Sequence, residues 1–191
     1  MKVVGFNGSP RKDGNTNILI NAVFAELQKE GIETEIIQVG GSNIRGCIAC
    51  MKCFENKNKE CSVNKDIVNT CLTKMYEADG IILGSPTYFG NVSSEIKALI
   101  DRAGMVSRAN AYMLRYKVGA AVVAMRRGGA TEAFNAMNNF FFLNQVIIPG
   151  SVYWNFALGR EKGEVEKDNE GMLTMKTLGE NMAWLLKKIK N

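Results

Sequence analysis

The sequence predicts an α/β domain built on a parallel sheet with helices on both faces. Apolar segments of strand length alternate with segments of helical periodicity along the whole chain. Most of the predicted strands are apolar at consecutive positions, which is typical of strands that are buried on both faces. The chain has 191 residues, of which 46% are hydrophobic and 23% charged, so it is long enough for one domain with a sizeable core.

Each element follows from its local pattern and from the residues that end it. The first strand stops at the turn residues Asn7-Gly8-Ser9-Pro10, and the first helix stops at Gly31. The predicted strands are residues 2–6, 34–39, 80–84, 118–125 and 146–148, and the predicted helices are residues 15–29, 66–76, 94–103, 131–143 and 174–190. Five such strands suit the flavodoxin-like order 2-1-3-4-5 of a doubly wound sheet. We expect a single domain, residues 1–191, with a cysteine-rich loop at residues 40–64, called the cysteine loop below.

Composition excludes several classes of function. The net charge of +5 is mild and its basic residues are dispersed without interleaved aromatic residues, so we expect no nucleic-acid partner. The apolar stretches are too short to span a membrane, and the chain opens on a strand-like segment instead of a signal peptide, which favours a cytoplasmic protein. The sequence has no histidine, so chemistry must come from a cofactor, a cysteine or a carboxylate.

Four of the five cysteines are crowded into the cysteine loop as Cys47-x2-Cys50-x2-Cys53-x7-Cys61. The compact C-x2-C-x2-C spacing is typical of 4Fe-4S sites, so we favour an iron-sulfur cluster on these four residues. A redox dithiol, a zinc site and two disulfides are the alternatives, although a reducing interior disfavours disulfides. Cys71 lies in a helical segment, and we expect it to be a buried core thiol.

In doubly wound sheets the ligand crevice lies beyond the carboxyl ends of the strands. The loop after the first strand is rich in hydroxyl, amide and cationic donors and leads directly into a helix, which favours a phosphate site. The residues Gly14-Asn15-Thr16 stand where a nucleotide P-loop needs Gly-Lys-Ser/Thr, so a triphosphatase is disfavoured. Simple capping of the helix is the alternative. The candidate phosphate-binding residues are Ser9, Arg11, Asn15, Thr16 and Asn17.

The loops after the third and fourth strands favour a flat ring ligand. Aromatic side chains can flank such a ring, and glycines let it approach the backbone closely. The alternatives are that the aromatic residues only close the core and that the paired glycines form a plain turn. The candidate residues are Pro86, Thr87, Tyr88, Phe89, Gly90 and Asn91 in one loop and Arg126, Gly128 and Gly129 in the other. Together with the phosphate loop, they suggest flavin mononucleotide (FMN).

These motifs resemble those of the NAD(P)H-dependent FMN reductases of flavodoxin-like fold, over nearly the whole chain. The crowded cysteines narrow the resemblance to the iron-sulfur flavoproteins within that family. The matching motifs are Gly8-Ser9-Pro10-Arg11-x3-Asn15-Thr16, Ser85-Pro86-x-Tyr88 with Lys97 and Asp101-Arg102, and Arg126-x-Gly128-Gly129.

The resemblance implies an oxidoreductase that passes electrons between FMN and a 4Fe-4S cluster bound by Cys47, Cys50, Cys53 and Cys61. It implies ferredoxin or NAD(P)H as the electron donor, a small-molecule or protein acceptor, and a homodimer or homotetramer. We assign no catalytic residue, because flavin chemistry of this kind needs no acid-base side chain. Two alternatives stay open: a cluster-free NAD(P)H-dependent FMN or quinone reductase, and a zinc-stabilised binding module without enzymatic activity.

Overall fold

The computed structural model describes residues 1–190; Asn191, the last residue of the predicted domain, lies outside the described residues. Its five strands form one parallel sheet in the order β2-β1-β3-β4-β5, which confirms the predicted flavodoxin-like order. The strands are β1 (Lys2–Asn7), β2 (Glu33–Gln38), β3 (Gly80–Pro86), β4 (Val118–Met125) and β5 (Phe156–Leu158). The helices are α1 (Asn15–Lys29), α2 (Lys52–Asn56), α3 (Val68–Glu77), α4 (Ser94–Ala109), α5 (Ala130–Leu143) and α6 (Asn169–Lys190), with a 3-10 turn at Glu164–Lys167.

The sheet separates two apolar cores. Helices α3, α4 and α5 cover one face, and α1 and α6 cover the other. Alternate residues of the central strands belong to the two cores, so that Ile81 and Leu83 lie in the core under α3, α4 and α5 while Ile82 lies in the core under α1 and α6. Each buried side chain of this size stabilises the fold by about 1.5–3 kcal/mol relative to an exposed one. The continuous apolar runs of the sequence therefore correspond to strands covered on both sides.

The fifth strand is the one element that lies elsewhere than predicted. Residues 146–148 form only an isolated bridge, in which Ile147 pairs with the start of β4, and Pro149 follows without an N–H to continue the ladder. Val146 packs against the core beside Gly119, which explains its apolar character. The chain then returns to the sheet farther along β4, where Phe156–Leu158 forms β5.

Three other differences from the prediction exceed two residues. Helix α4 continues to Ala109, the short helix α2 lies inside the cysteine loop, and α6 begins before residue 174. Asp168 precedes α6 and caps it, because its carboxylate accepts a hydrogen bond from Gly171 N at 3.0 Å. Within residues 1–190, no helix has the length and apolar character needed to cross a bilayer.

Candidate functional site

The first loop brings an uncapped helix N-terminus to the carboxyl edge of the sheet. Helix α1 follows Gly14, which makes no side-chain capping hydrogen bond, and its first turn contains no acidic residue. Its first N–H groups and the positive end of its dipole therefore favour an anion. Ser9 and Thr16 are buried and line the same cavity as Arg11. The three side chains stand where the sequence predicted a phosphate site.

Side chains at the strand ends fix the shape of this loop. The Asn7 Oδ1 atom accepts a hydrogen bond from Ser9 N at 3.0 Å, and Asn7 Nδ2 donates to Gln38 Oε1 at 2.8 Å. Gln38 Nε2 in turn donates to the carbonyl oxygens of Ser9 at 2.6 Å and Gly40 at 2.7 Å. The end of β2 thus holds the phosphate loop against the end of β1.

Two candidate residues of the first loop have positions that the sequence did not indicate. Asn15 lines the cavity, but its side chain already donates to Glu161 O at 2.9 Å and accepts from Gly163 N at 2.8 Å. It therefore ties the loop after β5 to the start of α1. Asn17 does not line the cavity, and its carbonyl oxygen accepts a hydrogen bond from Asn21.

The second loop divides into a part that faces the cavity and a part that forms a turn. Pro86, Thr87 and Tyr88 line the cavity, and the buried hydroxyl of Thr87 has no hydrogen-bond partner within residues 1–190. Phe89 and Gly90 have φ angles of 46° and 74°, as a tight hairpin turn requires, and Tyr88 pairs with Asn91 on either side of them. Phe89 is fully exposed. Gly90 and Asn91 also lie outside the cavity lining, so these three candidate residues do not face the cavity.

The third loop contributes Arg126 to the cavity, whereas one of its two glycines has a packing role instead. Gly129 has a φ angle of 79°, and a Cβ atom there would lie 3.0 Å from Gly90 Cα, so the glycine lets the third loop pack closely against the second. At Gly128 a Cβ atom would meet nothing within 4 Å. Neither glycine lines the cavity.

The three loops converge on one cavity of about 170 Å³, called the strand-end cavity below. Its lining includes three arginines, Arg11, Arg126 and Arg160, and no carboxylate. Gly159 and Arg160 were missed by the sequence reasoning because they follow β5, which was placed too early. The cationic lining, the uncapped helix and the unpaired Thr87 hydroxyl fit a ligand that carries both a phosphate and polar ring atoms, as FMN does.

The four clustered cysteines line a second cavity against the middle of α4, called the thiol cavity below. Cys47 and Cys50 are exposed, whereas Cys53 and Cys61 are half-buried, and all five cysteines of the chain are free thiols. In the described part of the chain, no three His, Cys, Asp or Glu side chains stand close enough together to hold a metal ion. The donor set suits an iron-sulfur cluster, but the sulfur atoms do not form a finished metal site.

The cysteine environments differ in ways that bear on their chemistry. A hydrogen bond between the Cys50 sulfur and the Ser62 hydroxyl, at 3.3 Å, helps to hold the pKa of Cys50 below its usual value, whereas burial raises the pKa of Cys53. Burial raises the pKa of Cys71 to about 12, and its side chain lies wholly in the core on the inner face of α3. Cys71 is thus the core thiol that the sequence predicted and not part of the thiol cavity.

The chain forms an open parallel sheet, and its strand-end loops meet at a cationic cavity beside an uncapped helix. These features define a flavodoxin-like protein with an anionic cofactor. The family model for NADPH-dependent FMN reductase matches residues 1–159, and the chain belongs to that family. It is a flavin-dependent oxidoreductase with FMN as the family's cofactor, as the resemblance in the sequence implied. The binding module without enzymatic activity is therefore set aside.

Known proteins that are similar to the chain agree with this assignment. An iron-sulfur flavoprotein of Methanocaldococcus jannaschii is 39% identical over 197 residues, with 100% of both chains covered. A solved flavodoxin from the domain Archaea has a TM-score of 0.63 at 17% identity, again with 100% of both chains covered. The solved structure of RosB with bound 8-demethyl-8-formylriboflavin-5′-phosphate has a TM-score of 0.74 at 18% identity and covers 100% of this chain and 80% of that one. The two solved structures show the same fold.

Proposed function

We propose that the chain is an oxidoreductase of the iron-sulfur flavoprotein type, with FMN in the strand-end cavity and a 4Fe-4S cluster on Cys47, Cys50, Cys53 and Cys61. The assignment of FMN rests on the lining of the strand-end cavity, which combines three arginines with an uncapped helix N-terminus and has no carboxylate. The assignment of a cluster is supported by the four thiols of the thiol cavity and by the relative from Methanocaldococcus jannaschii, which is named an iron-sulfur flavoprotein.

Each part of the strand-end cavity has a distinct task in this proposal. The N–H groups at the start of α1, with Ser9, Thr16 and Arg11, bind the phosphate. Thr87 donates its hydroxyl to a polar atom of the ring, and Tyr88 covers part of its surface. Bound FMN supplies one- and two-electron transfer, which suits ferredoxin or NAD(P)H as donor and a small molecule or protein as acceptor.

Two adjacent arginines provide a matched test of the FMN site. Arg126 lines the strand-end cavity, whereas Arg127 is exposed outside it. Arg126→Gln should weaken FMN binding about tenfold or more, because a hydrogen bond from a charged donor contributes roughly 1.5–3 kcal/mol. Arg127→Gln should bind FMN as the wild type does. Equal affinities of the two variants, measured by quenching of flavin fluorescence, would place FMN elsewhere.

The cluster is tested by metal and flavin analysis of protein purified without oxygen. We expect bound FMN together with about four irons per chain. Flavin without iron would remove the cluster from the proposal and favour the cluster-free NAD(P)H-dependent reductase, which the family description and the unfinished metal site also support. In that case a Cys50→Ala, Cys53→Ala double variant should keep full reductase activity with NADPH.

The oligomeric state stays a prediction of a homodimer or homotetramer. The strand-end cavity is small, and Tyr88 at its edge is 45% exposed, so a single chain covers only part of a flavin ring. A neighbouring copy that covers the rest would protect the ring from water. Sedimentation analysis of the FMN-bound protein checks this, and a monomer at all concentrations would contradict it.

A further inference from the structure

Arg102 is the largest side chain that is wholly buried in the described part of the chain. It lies on the inner face of α4, and its guanidinium group points at the cysteine loop. The Nε atom donates to Cys61 Sγ at 3.3 Å, and Nη1 donates to Arg45 O at 3.0 Å and to Asp66 Oδ2 at 2.5 Å. The remaining nitrogen, Nη2, donates to Val63 O. All three guanidinium nitrogens are thus used at this one loop.

A buried charge of this kind is tolerated only when it is paired and fully hydrogen-bonded. The partner is Asp66, whose carboxylate also accepts from Val68 N at 3.1 Å and from Arg45 N at 3.4 Å. Arg45 precedes the first clustered cysteine, and Val63 follows the last one. A single ion pair therefore holds the two ends of the cysteine run together and against α4.

Cys61 is held more firmly than Cys47 and Cys50. Its backbone N–H donates to Asn69 Oδ1 at 2.8 Å, and its carbonyl oxygen accepts from Asn69 Nδ2 at 3.0 Å. Helix α3 thus fixes the Cys61 backbone while Arg102 on α4 contacts the sulfur. By contrast, Cys47 and Cys50 are exposed, and the backbone around them is left-handed at Ala49 and Met51, with φ angles of 51° and 57°.

We propose that Arg102 is a positioning residue for the cysteine site: it closes the cysteine loop at its base and holds the Cys61 sulfur in the thiol cavity as a preformed ligand. The predicted effect of Arg102 on iron binding rests on the proposed cluster, whereas its predicted effect on the closure of the cysteine loop does not. Lysine cannot replace arginine here, because an ammonium group lacks the planar fork that reaches Cys61, Asp66 and two carbonyl groups at once.

Arg102 also affects the reduction potential of the proposed cluster. Reduction adds negative charge to a thiolate-bound cluster, and a cationic N–H donor to one of its sulfur ligands stabilises the reduced form more than the oxidised form. Arg102 should therefore raise the cluster's potential. A residue that only stabilised the fold would leave this potential unchanged.

The first arm of the test uses metal-free protein and compares Arg102→Lys with Arg108→Lys, an exposed arginine on the same helix. Hydrogen exchange should be at least about tenfold faster than in the wild type at the amides of Arg45, Cys61 and Val68 in Arg102→Lys, and unchanged in the sheet. Arg108→Lys should match the wild type. If Arg102→Lys does not fold, Asp66→Asn breaks the same ion pair with little change in shape and should show the same pattern. Unchanged exchange at these amides would overturn the proposal.

The second arm uses the same variants after anaerobic reconstitution with iron and sulfide. Arg102→Lys should bind iron about 10- to 100-fold more weakly, which is the usual effect of losing an outer contact to a metal ligand. Its cluster potential should also fall, while FMN affinity stays at the wild-type value. Wild-type iron retention and potential in Arg102→Lys would overturn the proposal. If the wild type itself takes up no iron, the proposed cluster fails, and the exchange arm alone decides the role of Arg102.

Discussion

Replacing Gly40 with alanine tests how rigidly the end of β2 holds the phosphate loop. A Cβ atom at Gly40 would lie 2.3 Å from the carbonyl carbon of Ser9 and 2.5 Å from the carbonyl oxygens of Gly8 and Ser9. These are backbone atoms, so no side-chain rotation relieves the contact. The loop is also held by hydrogen bonds from Gln38 to the carbonyl groups of Ser9 and Gly40, which resist a compensating shift.

The expected cost lies at the upper end of the range for overpacking, about 2–3 kcal/mol. In a domain of this length each kcal/mol lowers the melting temperature by about 2–4 °C, so Gly40→Ala should melt roughly 4–12 °C below the wild type. FMN affinity should fall about tenfold or more, because the displaced loop no longer aligns its N–H groups with the phosphate.

Gly128→Ala is the matched control for Gly40→Ala, because a Cβ atom at Gly128 would meet nothing within 4 Å. It should stay within about 0.5 kcal/mol of the wild type in stability. Thermal melts followed by circular dichroism and FMN titrations followed by fluorescence give both quantities. If Gly40→Ala and Gly128→Ala behave alike in both assays, the close packing of β2 against the phosphate loop is not what shapes the site.

Three further predictions concern single side chains. Thr87→Val removes an unpaired buried hydroxyl, so the flavin-free variant should be as stable as the wild type or slightly more stable. The same change should weaken FMN binding about tenfold. Unchanged FMN affinity would show that Thr87 is not part of the site. Cys71, with its pKa raised to about 12, should resist alkylation at pH 8 until the protein unfolds, and mass spectrometry of the native protein would contradict this by finding it modified. Burial acts to raise the pKa of Asp66, but hydrogen bonds from Arg102 and Val68 hold it below its ordinary value of 3.8. The ionised Asp66 carboxylate therefore stabilises the fold fully above pH 3.8, and this stabilisation is lost as the pH falls through the lower pKa of the folded state. In urea melts, the difference in unfolding free energy between wild type and Asp66→Asn should shrink below about pH 3.8. A constant difference would argue against the ion pair.

The sequence was sufficient to predict the sheet and the meeting of its loops. Runs such as residues 80–84 are apolar without interruption, so their burial on both faces follows from composition. Because the strands are parallel, their carboxyl ends share one edge, and residues as distant as Ser9, Tyr88 and Arg126 were expected to come together there. The strand-end cavity contains all three.

Other features depended on contacts that local patterns do not encode. Residues 146–148 and Phe156–Leu158 are similarly apolar, and only the Pro149 interruption and the register along β4 decide which of them forms β5. Because β5 was predicted too early in the chain, Arg160 was not recognised as part of a strand-end loop. Arg102 was noted only as part of a matching motif, and nothing local predicted its burial. An arginine on an amphipathic helix is expected to be exposed, and the burial of this one depends on Asp66 in a distant loop.

Calorimetric titration of the flavin-free protein with FMN, and separately with riboflavin, tests the strand-end site most directly. Riboflavin carries the same ring without the phosphate. A site built around the α1 N-terminus and three arginines should bind a single FMN per chain saturably and bind riboflavin far more weakly. No saturable binding of FMN, or equal affinity for the two ligands, would contradict the site.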